Sequence, residues 1–196
     1  MKSAWCRTIC WMPVWNSNYA GVGLEHLLFY ERMADSVVLA FDEGRGPFRF
    51  TYRLAWEASW RLRHAELVVE TGHATRSLSL QTDGLGRWRD ANGRSINALD
   101  GCLDIDIWPT PFTNSFPIRR EPMAIGERRE YRMAWIFAPD LTVHAQRQAY
   151  TRIADRLYLF ENLDGRGFQA KLPVDEDGIV LDYPGLFRRV KVNKGA

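Results

Sequence analysis

The sequence predicts a mostly β protein, and three observations support this prediction. Several segments alternate apolar and polar side chains with the period of a half-buried strand. Turn-forming pairs such as Asp83-Gly84, Asn92-Gly93 and Asp177-Gly178 recur at short intervals. Patterns with helical spacing are few. Many short strands separated by such turns are typical of a barrel, a sandwich or a rolled sheet.

The strand pattern recurs along the whole chain. The first predicted strand is the apolar run 9–15, which is too short for a signal peptide and lacks a small-residue cleavage site. In residues 24–33 the pattern leaves the helix and strand interpretations nearly tied. The remaining strands are predicted at residues 48–56, 76–80, 130–137 and 157–161.

The clearest helix signal lies in residues 110–120. Thr110 is a suitable cap, and Pro111 would then occupy the first helical position. Pro117 lacks a backbone donor, so the helix should be short or kinked. The 196 residues contain no repeat or linker, and we expect one domain spanning residues 1–196.

The charge distribution limits the classes of partner. The chain carries 26 basic and 24 acidic residues that are evenly mixed, which gives no electrostatic reason to expect nucleic acid. No segment approaches the length of a transmembrane helix. The three cysteines show no metal-ligand spacing, so we expect reduced thiols, a cytoplasmic location, and neither metal nor cofactor. A homodimer is left open.

Two residue types are unusually frequent. Only four of the 26 basic residues are lysine, which reflects either a GC-rich genome or a use for planar guanidinium groups. The chain also contains eight tryptophans. Tryptophan combines a large apolar face with one donor, so it serves in cores and equally in pockets that hold sugars or lipids.

The densest group of candidate residues lies in residues 99–120, LDGCLDIDIWPTPFTNSFPIRR. Asp104 and Asp106 are two residues apart on a predicted strand, which separates them by about 7 Å. This spacing would suit an acid/base pair, a solvated strand face, or ion pairs with Arg119 or Arg120. We favour structural ion pairs, because no third group supports catalysis.

Established catalytic motifs are missing from the sequence. There is no nucleophile elbow, zinc-protease motif or phosphate-binding loop. The stretch Asp175-Glu176-Asp177-Gly178 resembles the start of a calcium loop, but the later acidic ligands are lacking and a hairpin turn explains it better. We therefore expect a protein that is not an enzyme.

Several segments resemble one known family. LDGCLDIDIWPTPFTNSFPIRR and DYPGLFRRV, together with Gly23-Leu24-Glu25 and DGLGRW, are similar to signature stretches of the bacterial putative glycolipid-binding protein family. The resemblance implies a spiral β-roll, in which a long sheet of many strands wraps around one short helix. Residues 110–120 are the candidate for that helix. It also implies a glycolipid ligand.

These observations define an expected site and leave three functions open. Non-enzymatic binding of an amphipathic ligand, such as a glycolipid, is the first. An interaction protein with a packed interior is the second, and a hydrolase that uses Asp104 and Asp106 is the third. For the first, apolar side chains would line a space inside the curl of the sheet, and polar ones would select the head group. The apolar candidates are Trp108, Phe112, Phe116 and Trp135, and the polar candidates are Asn114, Arg119 and Arg120.

Overall fold

The computed structural model describes residues 6–14, 23–42, 44–165 and 167–190. Strands make up 59% of the structure and helix 7%, far below the average helix content of about one third, so the mostly β prediction is confirmed. The strands are β1 (Cys6–Pro13), β2 (Leu24–Tyr30), β3 (Met33–Asp42), β4 (Gly46–Trp56), β5 (Leu62–Glu70), β6 (Thr75–Thr82), β7 (Trp88–Asp90), β8 (Asp104–Trp108), β9 (Arg128–Phe137), β10 (Thr142–Ala154), β11 (Leu157–Asn162), β12 (Gln169–Pro173), β13 (Asp182–Tyr183) and β14 (Phe187–Arg189).

The described strands form two sheets. The larger has nine strands in the order β13-β14-β1-β2-β3-β4-β5-β6-β7, and all of its neighbours are antiparallel. The smaller has five strands in the order β12-β11-β10-β9-β8 and is curled like half a barrel. Within it, β8 and β9 pair in parallel. The predicted rolled sheet with one short helix is confirmed.

Residues 24–30, where the pattern left helix and strand open, form strand β2. Glu25, Leu27 and Phe29 are buried on one face, which is a period of two residues and not of 3.6. The other predicted strands lie within or overlap β1, β4, β6, β9 and β11. Residue 15, the end of the first predicted strand, lies outside the described residues.

The segment 110–120 contains helix α1 (Ser115–Arg120), which follows a 3-10 turn at Phe112–Asn114. The predicted start at Pro111 is therefore four residues too early for α1. The Thr110 Oγ1 atom accepts a hydrogen bond from the Phe112 amide at 3.1 Å, so it caps the 3-10 turn instead. Pro117 lies in the first turn of α1, where a backbone N–H has no helical partner, so its missing donor costs nothing. In the described residues, no helix is long and apolar enough to cross a membrane.

Aromatic rings pack α1 against the nine-stranded sheet. Phe112 and Phe116 are fully buried, and both contact Trp56, with ring centroids 6.0 and 5.6 Å apart. Phe29 contacts Phe112, and Trp60 contacts Phe116. The buried apolar side chains of both sheets and of α1 belong to one continuous core. Because this packing fixes the helix, it also fixes the loop that leads into it.

Candidate functional site

A cleft with a volume of about 150 Å³ opens beside the loop that leads into α1. It lies between the five-stranded sheet and the hairpin of β13 and β14. Its lining is mostly aromatic and uncharged polar: Asp106, Ile107, Trp108, Thr110, Asn114, Trp135, Gln146, Phe160, Asn162, Phe168, Tyr183, Leu186 and Phe187.

The walls of the cleft are aromatic because strand pairing and ring contacts bring distant residues together. The parallel pairing of β8 with β9 places Asp106 opposite Trp135. Trp108 contacts Phe187 across the gap between the sheets, with ring centroids 5.6 Å apart. Phe160 on β11 contacts Tyr183 on β13 at 5.9 Å. The resulting walls present ring faces and edges to whatever occupies the cleft.

The Asp106 carboxylate is held in place by neutral donors. Its Oδ1 atom accepts a hydrogen bond from Thr113 Oγ1 at 3.1 Å, and its Oδ2 atom accepts one from Gln148 Nε2 at 2.6 Å. Gln148 is fully buried and also donates to Gln146 Oε1 at 2.9 Å. Burial raises the pKa of Asp106, while the hydrogen bonds from Gln148 and Thr113 oppose that rise.

A second set of polar contacts fixes Asn114 at the inner end of the cleft. Its Oδ1 atom accepts a hydrogen bond from the Tyr150 hydroxyl at 2.8 Å, and its Nδ2 atom donates to the Pro111 carbonyl at 3.2 Å. Burial raises the pKa of Tyr150 far above the ordinary value, so the hydroxyl keeps its proton and donates. The amide therefore has a defined orientation before any ligand binds.

Asp104 has a different environment, although it is only two residues from Asp106. It is fully buried, and Arg120, whose side chain is 5% exposed, donates to both of its oxygens at 3.1 and 2.7 Å. Burial raises the pKa of the Asp104 carboxyl, and the bonds from Arg120 oppose the rise. An arginine was expected to pair with Asp104 or Asp106, and the structure has this ion pair at Asp104. At Asp106 the described side-chain partners, Thr113 and Gln148, are neutral.

The expected site residues fall into two groups in the structure. Trp108, Asn114 and Trp135 line the cleft. Phe112 and Phe116 lie in the packed core instead, because their rings fill the space between α1 and the nine-stranded sheet. An open apolar slot inside the curl was expected there, and this packing occupies it.

The two arginines also lie away from the cleft lining. Arg120 is held by Asp104. Arg119 is exposed, and its guanidinium group stacks 5.2 Å from the centre of the Trp60 ring. Neither arginine is among the described residues that line the cleft.

Several lining residues were not singled out from the sequence. Phe160, Phe168, Tyr183 and Phe187 come from the last third of the chain, and Gln146 and Asn162 come from two neighbouring strands. Residues 182–190 did carry a signal, since they belong to a segment that resembles the family. Gln146 and Asn162 could not be singled out from the sequence, because polar residues on a strand ordinarily face solvent.

The acidic stretch at 175–178 forms a tight turn, as expected. Gly178, with a φ of +72°, donates its amide to the Asp175 carbonyl, and the bridge between Val174 and Val180 closes the hairpin. Asp175 accepts hydrogen bonds from Arg7 and Arg189. Among the described residues no group of three His, Cys, Asp or Glu side chains could hold a metal ion.

Fold and site together define a rolled β protein with an aromatic-walled cleft. The side chains of Asp106 and Asn114 form the polar floor of this cleft. A model of the family described as "putative glycolipid-binding" matches residues 12–189, so the chain belongs to that family. It is also similar to a crystal structure, solved at 1.80 Å resolution, of a DUF1089 family protein from Pseudomonas aeruginosa. The two are 48% identical with a TM-score of 0.85, covering 90% of this chain and 97% of the other. A search of curated proteins finds no match.

Proposed function

We propose that the protein binds the sugar head of a glycolipid in the cleft, without catalysing a reaction. The observation that carries this proposal is the combination of aromatic walls with a preorganised polar floor. Aromatic faces pack against the apolar faces of sugar rings, and fixed carboxylate and amide groups bind hydroxyls. The family description supports the same class of ligand.

The size of the cleft indicates which part of the ligand enters. A cavity of about 150 Å³ accommodates a single six-membered ring, whereas pockets that enclose larger ligands measure roughly 300–1,000 Å³. An acyl chain of a dozen carbons does not fit beside a sugar. We therefore expect the acyl chain of the ligand to stay outside the cleft. There Phe168, which is 42% exposed, and the half-buried Leu186 form an apolar rim.

Hydrolysis by Asp104 and Asp106 is not part of the proposal. An acid/base pair requires both carboxyl groups to face one bound sugar. Asp106 lines the cleft, but Asp104 is fully buried and bound to Arg120.

The homodimer and the reducing, cytoplasmic location remain predictions, which sedimentation and localisation experiments would test.

Replacement of Trp135 with alanine is expected to weaken binding of octyl glucoside by about 2 kcal/mol, or roughly 30-fold. The indole is a half-buried wall of the cleft, stacked on Phe137 and 4.8 Å from His144 by ring centroids. Calorimetry below the micelle concentration measures the loss. Leu85→Ala, at a site 65% exposed and outside the cleft, is the matched control and should bind like wild type. Equal affinities for the two variants would refute the proposed site.

The length of the alkyl chain is expected to matter little. From butyl to decyl glucoside, affinity should change by less than about threefold in total, because the tail gains contacts only at the rim. An enclosed slot would instead add about 0.8 kcal/mol, or roughly fourfold, for every methylene. A titration of the series against wild type discriminates these cases, and a fourfold gain at each step would contradict the head-group proposal.

A further inference from the structure

The cleft has an unbalanced charge. Of the described residues that line it, Asp106 alone is charged. Its described hydrogen-bond partners, the Thr113 hydroxyl, the Gln148 side-chain amide and the Ile107 backbone amide, contribute no positive charge. Two residues earlier, Asp104 is neutralised by Arg120. The same strand therefore presents one carboxylate whose charge is compensated and one, facing the cleft, whose charge no described residue compensates.

An uncompensated carboxylate away from bulk water is costly, and the cost falls when a cation or several donors approach it. Asp106 can still accept such donors. A carboxylate has about four acceptor sites, and the described donors, which are Thr113, Gln148 and the Ile107 amide, use at most three of them. Because these donors hold the group from the protein side, the remaining capacity can accept a hydrogen bond from a ligand in the cleft.

The neighbouring polar groups are neutral. Gln146 and Asn162 each use their side-chain oxygen to accept a hydrogen bond from the protein, from Gln148 and from the Asp164 amide respectively, which leaves their N–H groups to donate to sugar hydroxyls. No described lining residue is an arginine or lysine that could bind an anionic group. An acidic head group would therefore meet a carboxylate of like charge without compensation.

We propose that Asp106 makes the cleft selective for a head group that carries a protonated amine, that is, an amino sugar, over neutral and acidic sugars. This inference rests on the proposed function, since it concerns which sugar the same cleft prefers. The ammonium group donates to Asp106 and neutralises it, while the ring packs against Trp135 and its aromatic neighbours.

Three octyl glycosides test the inference on wild type: the glucosaminide, the glucoside and the glucuronide. At pH 6.5 the glucosaminide is expected to bind roughly tenfold more tightly than the glucoside, because a hydrogen bond between two opposite charges replaces one in which only the carboxylate is charged. The glucuronide is expected to bind at least roughly tenfold more weakly than the glucoside, because two carboxylates would meet in one cleft. Calorimetry or ligand-detected magnetic resonance provides the affinities.

Asp106→Asn is expected to reduce the preference for the glucosaminide to less than about twofold and to bind the glucuronide as well as the glucoside. Asp155→Asn, at a carboxylate 73% exposed and outside the cleft, should keep the wild-type ranking. A test without any substitution compares the glucosaminide and the glucoside on wild type at pH 9.5, where the amine of the glucosaminide has lost its proton. Their affinity ratio should fall to about one.

The outcomes separate the two proposals. If the three glycosides bind wild type equally and Trp135→Ala abolishes their binding, the head-group site stands and the charge selectivity is overturned. A glucosaminide preference that persists in Asp106→Asn, or on wild type at pH 9.5, overturns it as well. If none of the glycosides binds wild type, the proposed function fails and the selectivity fails with it.

Discussion

Replacing Asp104 with asparagine is expected to lower the free energy of unfolding by about 3–5 kcal/mol. The substitution removes the bidentate partner of Arg120, whose side chain is 5% exposed, and leaves it only the ion pair with Glu121, which is 42% exposed. Loss of the fully buried carboxylate that faces a buried guanidinium group costs far more than the loss of an ordinary hydrogen bond. Urea denaturation followed by tryptophan fluorescence measures the change.

The matched control is Asp35→Asn. Asp35 also forms an ion pair with an arginine, Arg53, at 2.8 Å, but the two side chains are 36% and 56% exposed. Exposed pairs contribute only about 0.2–1 kcal/mol, so this variant should remain near wild type. If Asp104→Asn lost no more than Asp35→Asn, the buried pair would be without structural importance.

A double variant separates the energy of the ion pair from the cost of leaving one charged partner buried without the other. When Asp104→Leu and Arg120→Met are combined, no charge is left buried at this position. The double variant is therefore expected to be more stable than Asp104→Asn, by about 2 kcal/mol or more. A double variant less stable than Asp104→Asn would show that shape, and not charge, dominates at this position.

The sequence predicted the fold well because its signals are local. Alternation over a few residues is enough to identify a strand such as β4 or β9, and Asp-Gly or Asn-Gly pairs identify the turns between strands. The position of α1 was harder to predict. Its beginning depends on a 3-10 turn that Thr110 caps, and the sequence pattern does not distinguish such a turn from the first turn of an α-helix.

The cleft was predicted only in part, because it depends on contacts between distant segments. Trp108 could be singled out within its own segment, but its ring partner Phe187 lies 79 positions later in the chain. Asp106 shows the same limit. Nothing in its local sequence distinguishes it from Asp104, and the difference arises because α1 brings Arg120 to one carboxylate while Gln148, from β10, reaches the other.

A third carboxylate, Glu25, was missed although its signal was present. It lies on the same face of β2 as Leu27 and Phe29, so the strand interpretation, which the pattern left tied with a helix, would have predicted an inward-facing acid. Its Oε1 atom accepts hydrogen bonds from Ser36, Tyr52 and Thr110 at 2.9, 2.6 and 2.9 Å. Its other oxygen is buried and has no hydrogen-bond partner among the described residues.

Glu25 should make the stability of the protein depend on pH. Burial raises its pKa from 4.5 to about 7, against the opposing effect of the hydrogen bonds from Tyr52, Thr110 and Ser36. The native state therefore binds this proton more tightly than the unfolded state does. The resulting stabilisation is complete below the unfolded pKa of 4.5 and is lost as the pH rises through about 7.

The Glu25→Gln variant isolates this effect, because glutamine keeps an acceptor for the three hydroxyls and does not ionise. The free energy of unfolding of the variant is compared with that of wild type at each pH. Between pH 4.5 and pH 8.5 this difference is expected to shift in favour of the variant by up to about 3 kcal/mol, at about 1.36 kcal/mol for each pKa unit. Burial also raises the pKa values of the neighbouring Tyr52 and Cys10, so both stay protonated across most of this range. Glu31→Gln, at a side chain 83% exposed, is the matched control. Urea melts of the three proteins at half-unit pH steps provide the comparison, and a Glu25→Gln difference that stays constant with pH would contradict the assignment of a neutral, buried Glu25.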